Sequence, residues 1–210
     1  NDFGSGMASA TRGVFKQGRD GSSPYTRTME FVTFSSLGGV TDFGDDLGVL
    51  QDSSASSANG IRGIFGNGTG YDAVIQSINI PTGGDATQFG TLSQGLYMGG
   101  GAGGASPTRG FFFGGLVSGQ PAGEKIIETV TFASGGESTK FGDLTVGRRA
   151  IAAVTNNTRA VSCSGDTPAT NTMDYITMAS EGNATDFGDI TRQAAGYGAG
   201  GSTQTRGVIT

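Results

Sequence analysis

Five arginines at equivalent places in the chain are the side chains best suited to chemistry. They are Arg12, Arg62, Arg109, Arg159 and Arg206, and they recur about every 50 residues. A guanidinium group can bind a carboxylate or phosphate through two parallel hydrogen bonds, so five of them could form a ring for anions or acidic sugars. The alternative is that each arginine pairs with a carboxylate, such as Asp45, Asp143 or Asp189, and braces neighbouring units. Because the arginine recurs in every unit, the sequence favours this structural interpretation.

Acidic residues also recur at equivalent positions, and paired carboxylates can act as general acid and general base. The acids are Glu30, Glu128 and Asp174 in one repeated segment, and Asp42 and Asp186 in another. The chain contains no His, and no tyrosine or metal ligand accompanies these acids at matching sites. Solvated strand faces and Asx turns explain the acids. The sequence therefore favours a non-enzymatic protein over a hydrolase.

The composition narrows the possible partners. The net charge is -5 and there is no basic stripe, which argues against nucleic-acid binding. Cys163 is the only cysteine, so neither a disulfide within the chain nor a Cys/His metal site can form, and no cofactor is predicted. No run approaches the roughly 18 apolar residues of a membrane span, so we predict no membrane insertion.

A longer segment that ends in a Phe-Gly pair occurs four times. The copies are Met29–Leu47, Ile75–Leu92, Ile127–Leu144 and Met173–Ile190, and their phenylalanines are Phe43, Phe89, Phe141 and Phe187. The copies align without a gap from the first apolar residue through the Phe-Gly pair. Self-similarity at a period of about 50 residues predicts a repeat architecture.

Each unit is predicted to contain four strands, called a to d. Strand b is the Arg-Gly segment, strand c is of the MDYITM type and strand d is of the TDFGD type. Strand a is the small-residue segment before b. The predicted a strands are Ser5–Ala10, Gly48–Asp52, Gly95–Gly101, Ala150–Val154 and Ala195–Gly200. Turn residues separate the strands and glycine interrupts every candidate helix, so the fold class is all-β.

Four short strands in each unit are typical of the blades of a β-propeller. Strand a is predicted to be innermost, and aromatic residues such as Phe15, Phe34 and Phe43 are predicted to pack between blades. The chain forms one domain, 1–210, with units at about 5–47, 48–92, 95–144 and 148–190 and a partial closing unit of 195–210 with 1–4. Hairpin count gives five blades, closed by strands from both termini. A four-bladed propeller, an excerpt of a longer array, and a terminal hairpin that completes a neighbouring chain are the alternatives.

The strand order resembles the kelch-type propeller repeat. Gly114-Gly115 after strand b matches the kelch Gly-Gly pair, and the repeated phenylalanines stand where kelch repeats usually have Trp. The Gly-Gly pair is absent after Phe15 and interrupted in Gly66-Asn67-Gly68, and the chain has no Trp. The resemblance therefore implies a kelch-like propeller.

The TRGVF motif followed by DYITMASEGNATDFGD resembles the repeats of structural and tail-associated proteins of marine phages, particularly cyanophages. The resemblance covers nearly the whole chain. It implies a virion or other surface-exposed, extracellular setting, and it supplies no active residues.

The loops between strands b and c vary from copy to copy, whereas the c–d turn has constant length. Loops that escape the repeat are where recognition residues usually lie. Because neighbouring strands alternate in direction, all b–c loops are predicted on one face, together with the d–a connections. The candidate recognition residues are Arg19, Tyr25, Tyr71, Gln120, Lys125 and Asp166.

The sequence thus predicts a structural or adhesive module of a phage virion, of the tail-fibre or receptor-binding type, or of an extracellular appendage. Its partners would be other virion or appendage subunits, a second copy, or a cell-surface glycan or receptor. A lectin-like propeller for cell-surface glycans and a self-assembling filament subunit are the alternatives.

Overall fold

A computed structural model of the chain describes residues 4–18, 26–48, 54–66, 68–97, 103–194 and 198–209. All regular structure in these ranges is β-strand, arranged mainly in antiparallel sheets, and the same ranges contain no helix. The all-β prediction is confirmed. No helix long and apolar enough to cross a membrane is found within the described ranges.

The first two sheets follow the predicted a-b-c-d order. The first contains β1 (Ser5–Ala8), β2 (Arg12–Lys16), β3 (Thr28–Thr33) and β4 (Thr41–Asp45). The second contains β5 (Ala55–Ala58), β6 (Arg62–Gly66), β7 (Val74–Asn79) and β8 (Thr87–Thr91). In both, each strand pairs antiparallel with the next one along the chain.

Two further sheets repeat this order, and a hairpin follows them. The third contains β9 (Gly103–Ala105), β10 (Arg109–Phe113), β11 (Ile126–Thr131) and β13 (Thr139–Asp143), while the two-residue β12 (Gly136–Glu137) pairs with β8 of the second sheet. The fourth contains β14 (Ala152–Thr155), β15 (Arg159–Cys163), β16 (Thr170–Thr177) and β17 (Thr185–Ala194). The hairpin consists of β18 (Gly200–Ser202) and β19 (Gly207–Ile209).

The a strands of the second and third sheets begin later than predicted. The predicted segments 48–52, 95–101 and 195–200 lie partly outside the described residues, and the a strands follow them. The reason is the turn before strand b. Asn59 Oδ1 accepts hydrogen bonds from the backbone N–H groups two and three residues ahead, and the hydroxyl of Ser106 does the same. Such a turn places strand a directly before it.

The repeated phenylalanine occupies a β-bulge between strands c and d in all four sheets. In the first sheet Met29 pairs with Gly44 and Glu30 pairs with Asp42, so Phe43 is the extra residue. A bulge bends its strand and redirects a side chain. Here it turns Phe43 into the hydrophobic cluster that joins the first sheet to the second.

Three hydrophobic clusters join consecutive sheets. Between the first and second sheets, the buried residues are Met7, Val14, Met29, Phe43, Phe65, Ile78, Ile80 and Ala86. Equivalent clusters join the second sheet to the third and the third to the fourth. Each sheet is thus stabilised by its neighbours, as in other repeat proteins. Phe15 and Phe34, predicted to pack between blades, are instead 48% and 59% exposed, because no described residue covers that face of the first sheet.

The glycine after the repeated phenylalanine allows the c–d turn of the next sheet to contact the main chain of strand d. A Cβ atom at Gly142 would lie 2.0 Å from the carbonyl oxygen of Gly182, and one at Gly90 would lie 1.8 Å from that of Gly136. Only glycine permits such contact between main chains. The turn also donates a hydrogen bond from the N–H of Gly182 to the carbonyl oxygen of Phe141, at 3.0 Å.

The five a strands line one cavity of about 630 Å³. They pack closely because their residues are small, and serine hydroxyls link them. The hydroxyl of Ser56 donates to the carbonyl oxygen of Gly6 at 2.9 Å, and the hydroxyl of Ser202 donates to that of Thr155 at 2.6 Å. Residues of β18 and β1 line the same cavity, so the hairpin lies on the side of the fourth sheet that is away from the third.

Candidate recognition surface

The repeated arginines contact the following or the same sheet through carbonyl oxygens and aromatic rings. Arg12 donates from Nη1 to the carbonyl oxygen of Pro81, at 2.8 Å, and its guanidinium carbon lies 4.6 Å from the centre of the Phe31 ring. Arg62 donates to the carbonyl oxygen of Phe132. Both acceptors belong to the c–d turn of the next sheet. The prediction that the arginines brace neighbouring units thus has a structural basis in these two contacts.

The predicted carboxylate partners of the arginines are wrong. None of the five arginines, all of which lie in the described ranges, forms an ion pair with Asp45, Asp143 or Asp189. The c–d turn of the next sheet presents its carbonyl oxygens where strand b begins, and for Arg12 and Arg62 these oxygens accept from the guanidinium group in place of a carboxylate. No charged side chain is found among the described residues that line the cavity, so the arginines do not form a ring around it.

The acids of strand c form latches between sheets. Glu128 Oε1 accepts the backbone N–H of Ser93 at 2.8 Å, and Asp174 Oδ2 accepts that of Thr145 at 3.3 Å. Gln76 does the same for Leu47 at 2.8 Å in the second sheet. In each case the donor lies just after strand d of the preceding sheet.

The expectation that the acids lie on solvated strand faces is wrong for Glu128 and Asp174, which are buried. The bulge directs them between sheets, where backbone N–H groups compensate their loss of water. Asp42 and Asp186 do form the predicted Asx turns, accepting the N–H groups of Gly44 and Gly188. These contacts give both sets of acids a structural role.

The described parts of the b–c loops and of the d–a connections lie on one face, as predicted. Tyr97, in the connection after the second sheet, pairs with Leu116 in the b–c loop of the third. Arg149, in the connection after the third sheet, pairs with Asp166 in the b–c loop of the fourth. These bridges fix the loops of one sheet to the end of the sheet before it.

The predicted recognition residues differ in where the structure places them. Arg19 and Tyr25 lie outside the described residues. Gln120 is exposed, and Lys125 donates from Nζ to the carbonyl oxygen of Thr145 at 2.8 Å. Tyr71 and Asp166 belong to a single group of side chains.

That group, here the tyrosine–arginine cluster, consists of Tyr71, Tyr97, Arg149 and Asp166. The two tyrosine rings are 6.1 Å apart and tilted by 56°. The guanidinium carbon of Arg149 lies 4.9 Å from the centre of the Tyr97 ring, and its Nε lies 3.0 Å from Asp166 Oδ1. All four residues are partly exposed. The cluster offers an apolar ring surface beside a fixed pair of charges.

Electrostatics keep Asp166 ionised. Burial raises the pKa of this carboxyl, but hydrogen bonds from Arg149 and Thr167 and the charge of Arg149 outweigh burial, so the net effect is a lowered pKa. The Asp166 carboxylate therefore persists through the neutral range. The aromatic face of Tyr97 also attracts the arginine charge.

Tyr97 and Arg149 were not among the predicted recognition residues, because the variation in length between copies lies mainly in the b–c loops. Both lie in d–a connections, and the signal was present: Arg148-Arg149 is a pair of adjacent arginines that the other units lack. Arg148, the residue before Arg149, holds this d–a connection against the buried interior of the fourth sheet. It is fully buried, donates to Asp174 Oδ2 at 2.8 Å and also donates to the hydroxyl of Ser162.

Cys163 lies close to this buried ion pair, and we predict that its thiol does not react in the folded protein. The pKa of the Cys163 thiol is raised to about 11, mainly by burial. The positive charge of Arg148 lowers this pKa and the negative charge of Asp174 raises it. Since the thiolate is the reactive form, Ellman's reagent at about pH 8 should modify no thiol in the folded chain and one thiol in denaturant. Native modification within about tenfold of the denatured rate would contradict this.

The described residues include no group of three or more His, Cys, Asp or Glu that could hold a metal ion. The cavity is lined by Gly, Ala, Ser, Thr, Met and Gln residues, a surface for hydrogen bonding to neutral ligands or water. The tyrosine–arginine cluster, by contrast, combines aromatic rings with a paired cation and anion.

Comparison with known proteins gives the fold. No family model matches the sequence, and no curated protein matches it. Among solved structures, 177 chains match. One is the structure of YjhT, which is similar with a TM-score of 0.73 over 94% of this chain and 68% of the YjhT chain, at 9% sequence identity. At this identity the likeness shows a common all-β fold.

Proposed function

We propose that the chain is a kelch-like β-propeller that binds a partner and does not transform it, as a structural or adhesive module of a phage particle or extracellular appendage. Five a strands around one cavity support five blades, four of them complete among the described residues. The phage setting rests on the resemblance of the repeat motifs. An extracellular or virion location follows from that proposal.

The observation that carries the proposal is the fixed geometry of the tyrosine–arginine cluster. Its members come from the variable segments of different units, and main-chain bridges hold those segments together. A surface that is ordered before binding loses less conformational entropy when a partner docks. Tyrosine and arginine are also the residues most often found at the energetic centre of interfaces.

The roles of the repeated charges support binding over catalysis. Glu128 and Asp174 accept backbone hydrogen bonds between sheets, and Arg12 and Arg62 bond to carbonyl oxygens. The hydrogen bonds of these charged side chains join neighbouring sheets. The proposal therefore assigns no catalytic residue.

The test is binding of the fluorescently labelled chain to a glycan array and to intact cyanobacterial cells, the hosts that the cyanophage resemblance indicates. We expect Arg149→Ala and Tyr97→Ala each to weaken binding by about tenfold, because each removes one half of the stacked pair. A matched control is Arg159→Ala, since Arg159 lies 4.8 Å from the ring centre of Tyr175 in a similar pair within a sheet. Equal losses for Arg149→Ala and Arg159→Ala, or no binding by the unaltered chain, would refute the proposal.

A lectin-like propeller is the second candidate, and the same cluster favours it. Tyrosine rings can stack on the apolar face of a sugar, while Arg149 and Asp166 can bond to its hydroxyl groups. Periodate treatment of the cells distinguishes the two candidates. Loss of binding after periodate would indicate a glycan, and retention would indicate a protein receptor.

A further inference from the structure

The tyrosine–arginine cluster is a row of four side chains that ends at Tyr71. Asp166 bonds to Arg149, Arg149 lies against the Tyr97 ring, and the Tyr97 ring lies against that of Tyr71. We propose that the Tyr71 end is a subsite for one uncharged sugar ring, which stacks on Tyr71 and bonds to the two phenol hydroxyls. Because it names the ligand class of the same surface, this subsite rests on the proposed binding function.

Tyr71 has a backbone conformation that does not favour tyrosine. Its φ of 53° lies in the left-handed region, where glycine and asparagine are preferred. Main-chain contacts hold it there: its N–H donates to the carbonyl oxygen of Gly68 at 3.1 Å, and a Cβ atom at Gly95 would lie 1.7 Å from the carbonyl oxygen of Tyr71. Folding alone would favour glycine or asparagine here, so the tyrosine side chain indicates a role other than folding.

The other residues with this unfavourable conformation lie beside the same cluster. Besides Tyr71, three non-glycine residues in the described ranges have a left-handed φ: Ala150 at 55°, Ser164 at 55° and Thr167 at 60°. Ala150 and Thr167 directly follow the two charged members of the cluster, and Ser164 lies two residues before one of them. Backbone strain of this kind collects where the structure must hold a ligand, so its concentration here supports a binding site.

The phenol hydroxyls of the cluster are available to a ligand. Neither that of Tyr71 nor that of Tyr97 forms a hydrogen bond with a described residue. A phenol hydroxyl both donates and accepts hydrogen bonds, as the hydroxyl groups of a sugar do. The Tyr71 ring contacts the Tyr97 ring at 6.1 Å between centres and meets no other aromatic ring or cation within the described ranges. A sugar could therefore stack on Tyr71 while its hydroxyl groups bond to the phenols.

The charges at the cluster disfavour an acidic ligand. The guanidinium group of Arg149 is already paired with Asp166, from Nε to Oδ1 at 3.0 Å and from Nη2 to Oδ2 at 3.3 Å. Asp72, the residue after Tyr71, is partly exposed and forms no ion pair with a described residue, so it adds a negative charge. An acidic sugar would have to displace Asp166 from Arg149 and approach Asp72, whereas an uncharged sugar would do neither.

The exposed area of the cluster suits one sugar ring better than a protein. The side chains of Arg149 and Asp166 are each 22% exposed, and Tyr71 and Tyr97 are also only partly exposed. A stable protein interface covers about 800 Å² on each partner, and four side chains with this exposure present a much smaller area. A single pyranose ring, by contrast, is similar in size to one tyrosine ring.

The test is a glycan array of matched sets, in which each neutral hexose is printed beside the hexuronic acid and the amino sugar of the same configuration. We expect the labelled chain to bind neutral members, and to bind their acidic and amino counterparts at least about tenfold more weakly. Binding should change by less than about twofold between about 50 and about 500 mM NaCl, because no ion pair forms with the ligand.

Two variants of Tyr71 separate a binding role from a structural one. Tyr71→Phe keeps the ring and removes a hydroxyl that bonds to no described residue, so the urea midpoint should hold while binding falls about fivefold. Tyr71→Asn removes the ring but suits the left-handed conformation, so binding should fall at least about tenfold with a midpoint that is not lowered. The matched control is Ser164→Gly, since the residue five after the repeated arginine of the third sheet is Gly114, with a φ of 61°. This control should change neither the midpoint nor binding.

Three results would overturn the sugar subsite: stronger binding of acidic or amino sugars, unaltered affinity of both Tyr71 variants, or a lowered urea midpoint for Tyr71→Phe. Binding to cells that survives periodate, with no glycan bound on the array, would also overturn the subsite but would leave the proposed binding function standing. Absence of binding to both cells and array would refute the proposed function itself, and the subsite with it.

Discussion

Replacing Gly142 by alanine is expected to lower the free energy of unfolding by about 3 kcal/mol. The added Cβ would lie 2.0 Å from the carbonyl oxygen of Gly182. The turn that contains Gly182 cannot move away freely, because it bonds to the carbonyl oxygens of Phe141 at 3.0 Å and Asp143 at 2.8 Å. Relief of the collision would therefore separate the third and fourth sheets. Urea denaturation followed by circular dichroism measures the change.

Gly39→Ala is the matched control for this substitution. No atom lies within 4 Å of a Cβ built at Gly39, which also sits in a c–d turn. Its effect should stay within about 0.5 kcal/mol. Similar losses for both variants would show that the sheets do not depend on the close contact at the Phe-Gly motif.

Replacing Asp174 by alanine is expected to lower the free energy of unfolding by about 3–5 kcal/mol, because it breaks a buried ion pair. Asp174 and Arg148 are both 0% exposed and lie 2.8 Å apart. Without the carboxylate, the guanidinium group stays buried without a counter-charge, and Thr145 loses its acceptor. The same denaturation experiment measures the loss.

The exposed ion pair between Lys140 and Asp143 is the control for the buried one. Its atoms are also 2.8 Å apart, but both side chains contact water, so Lys140→Ala should cost less than about 0.5 kcal/mol. The double variant Arg148→Met with Asp174→Leu should recover much of the loss, since it leaves no buried charge. A single Asp174→Ala variant as stable as Lys140→Ala would contradict the assigned role of the pair.

The molecule combines a repeated scaffold with a surface that is not repeated. Bulges and turn glycines recur in four sheets, latches join the three pairs of consecutive sheets, and these features leave little freedom for change. Tyr97 and Arg149 lie in d–a connections, where the repeat imposes fewer constraints. A family of such chains could therefore change its partner by altering these connections and the b–c loops while the sheets stay the same.

Strands b, c and d were predictable because their signals are local. The repeated arginine starts strand b in the four complete sheets, followed by glycine in three of them and by Ala160 in the fourth, and the Thr-x-Phe-Gly motif lies in strand d of each. Strand a was harder to locate. Its Gly, Ala and Ser residues show no alternation between apolar and polar side chains. The limits of strand a therefore depend on packing around the cavity and on the turn before strand b, in which Asn59 accepts two backbone N–H groups.

Contacts between sheets explain why other expectations failed. The repeated arginines were predicted to pair with carboxylates because opposite charges attract. Arg12 and Arg62 instead donate hydrogen bonds to carbonyl oxygens of a turn in the next sheet. Glu128 and Asp174 were expected in water, yet the neighbouring sheet buries them. In both cases the missing information was the distance of closest approach between sheets.

From the amino-acid order one could derive the all-β class, the repeat, and the glycine beside each repeated phenylalanine, because hydrogen bonding and backbone conformation depend on neighbours in the chain. The tertiary fold set which residues meet across sheets: it buried Phe43 but left its repeat counterpart Phe187 exposed, and it brought Tyr71, Tyr97, Arg149 and Asp166 together. The physical reason is that equivalent residues have the same local conformation, whereas burial depends on whether another sheet packs against them.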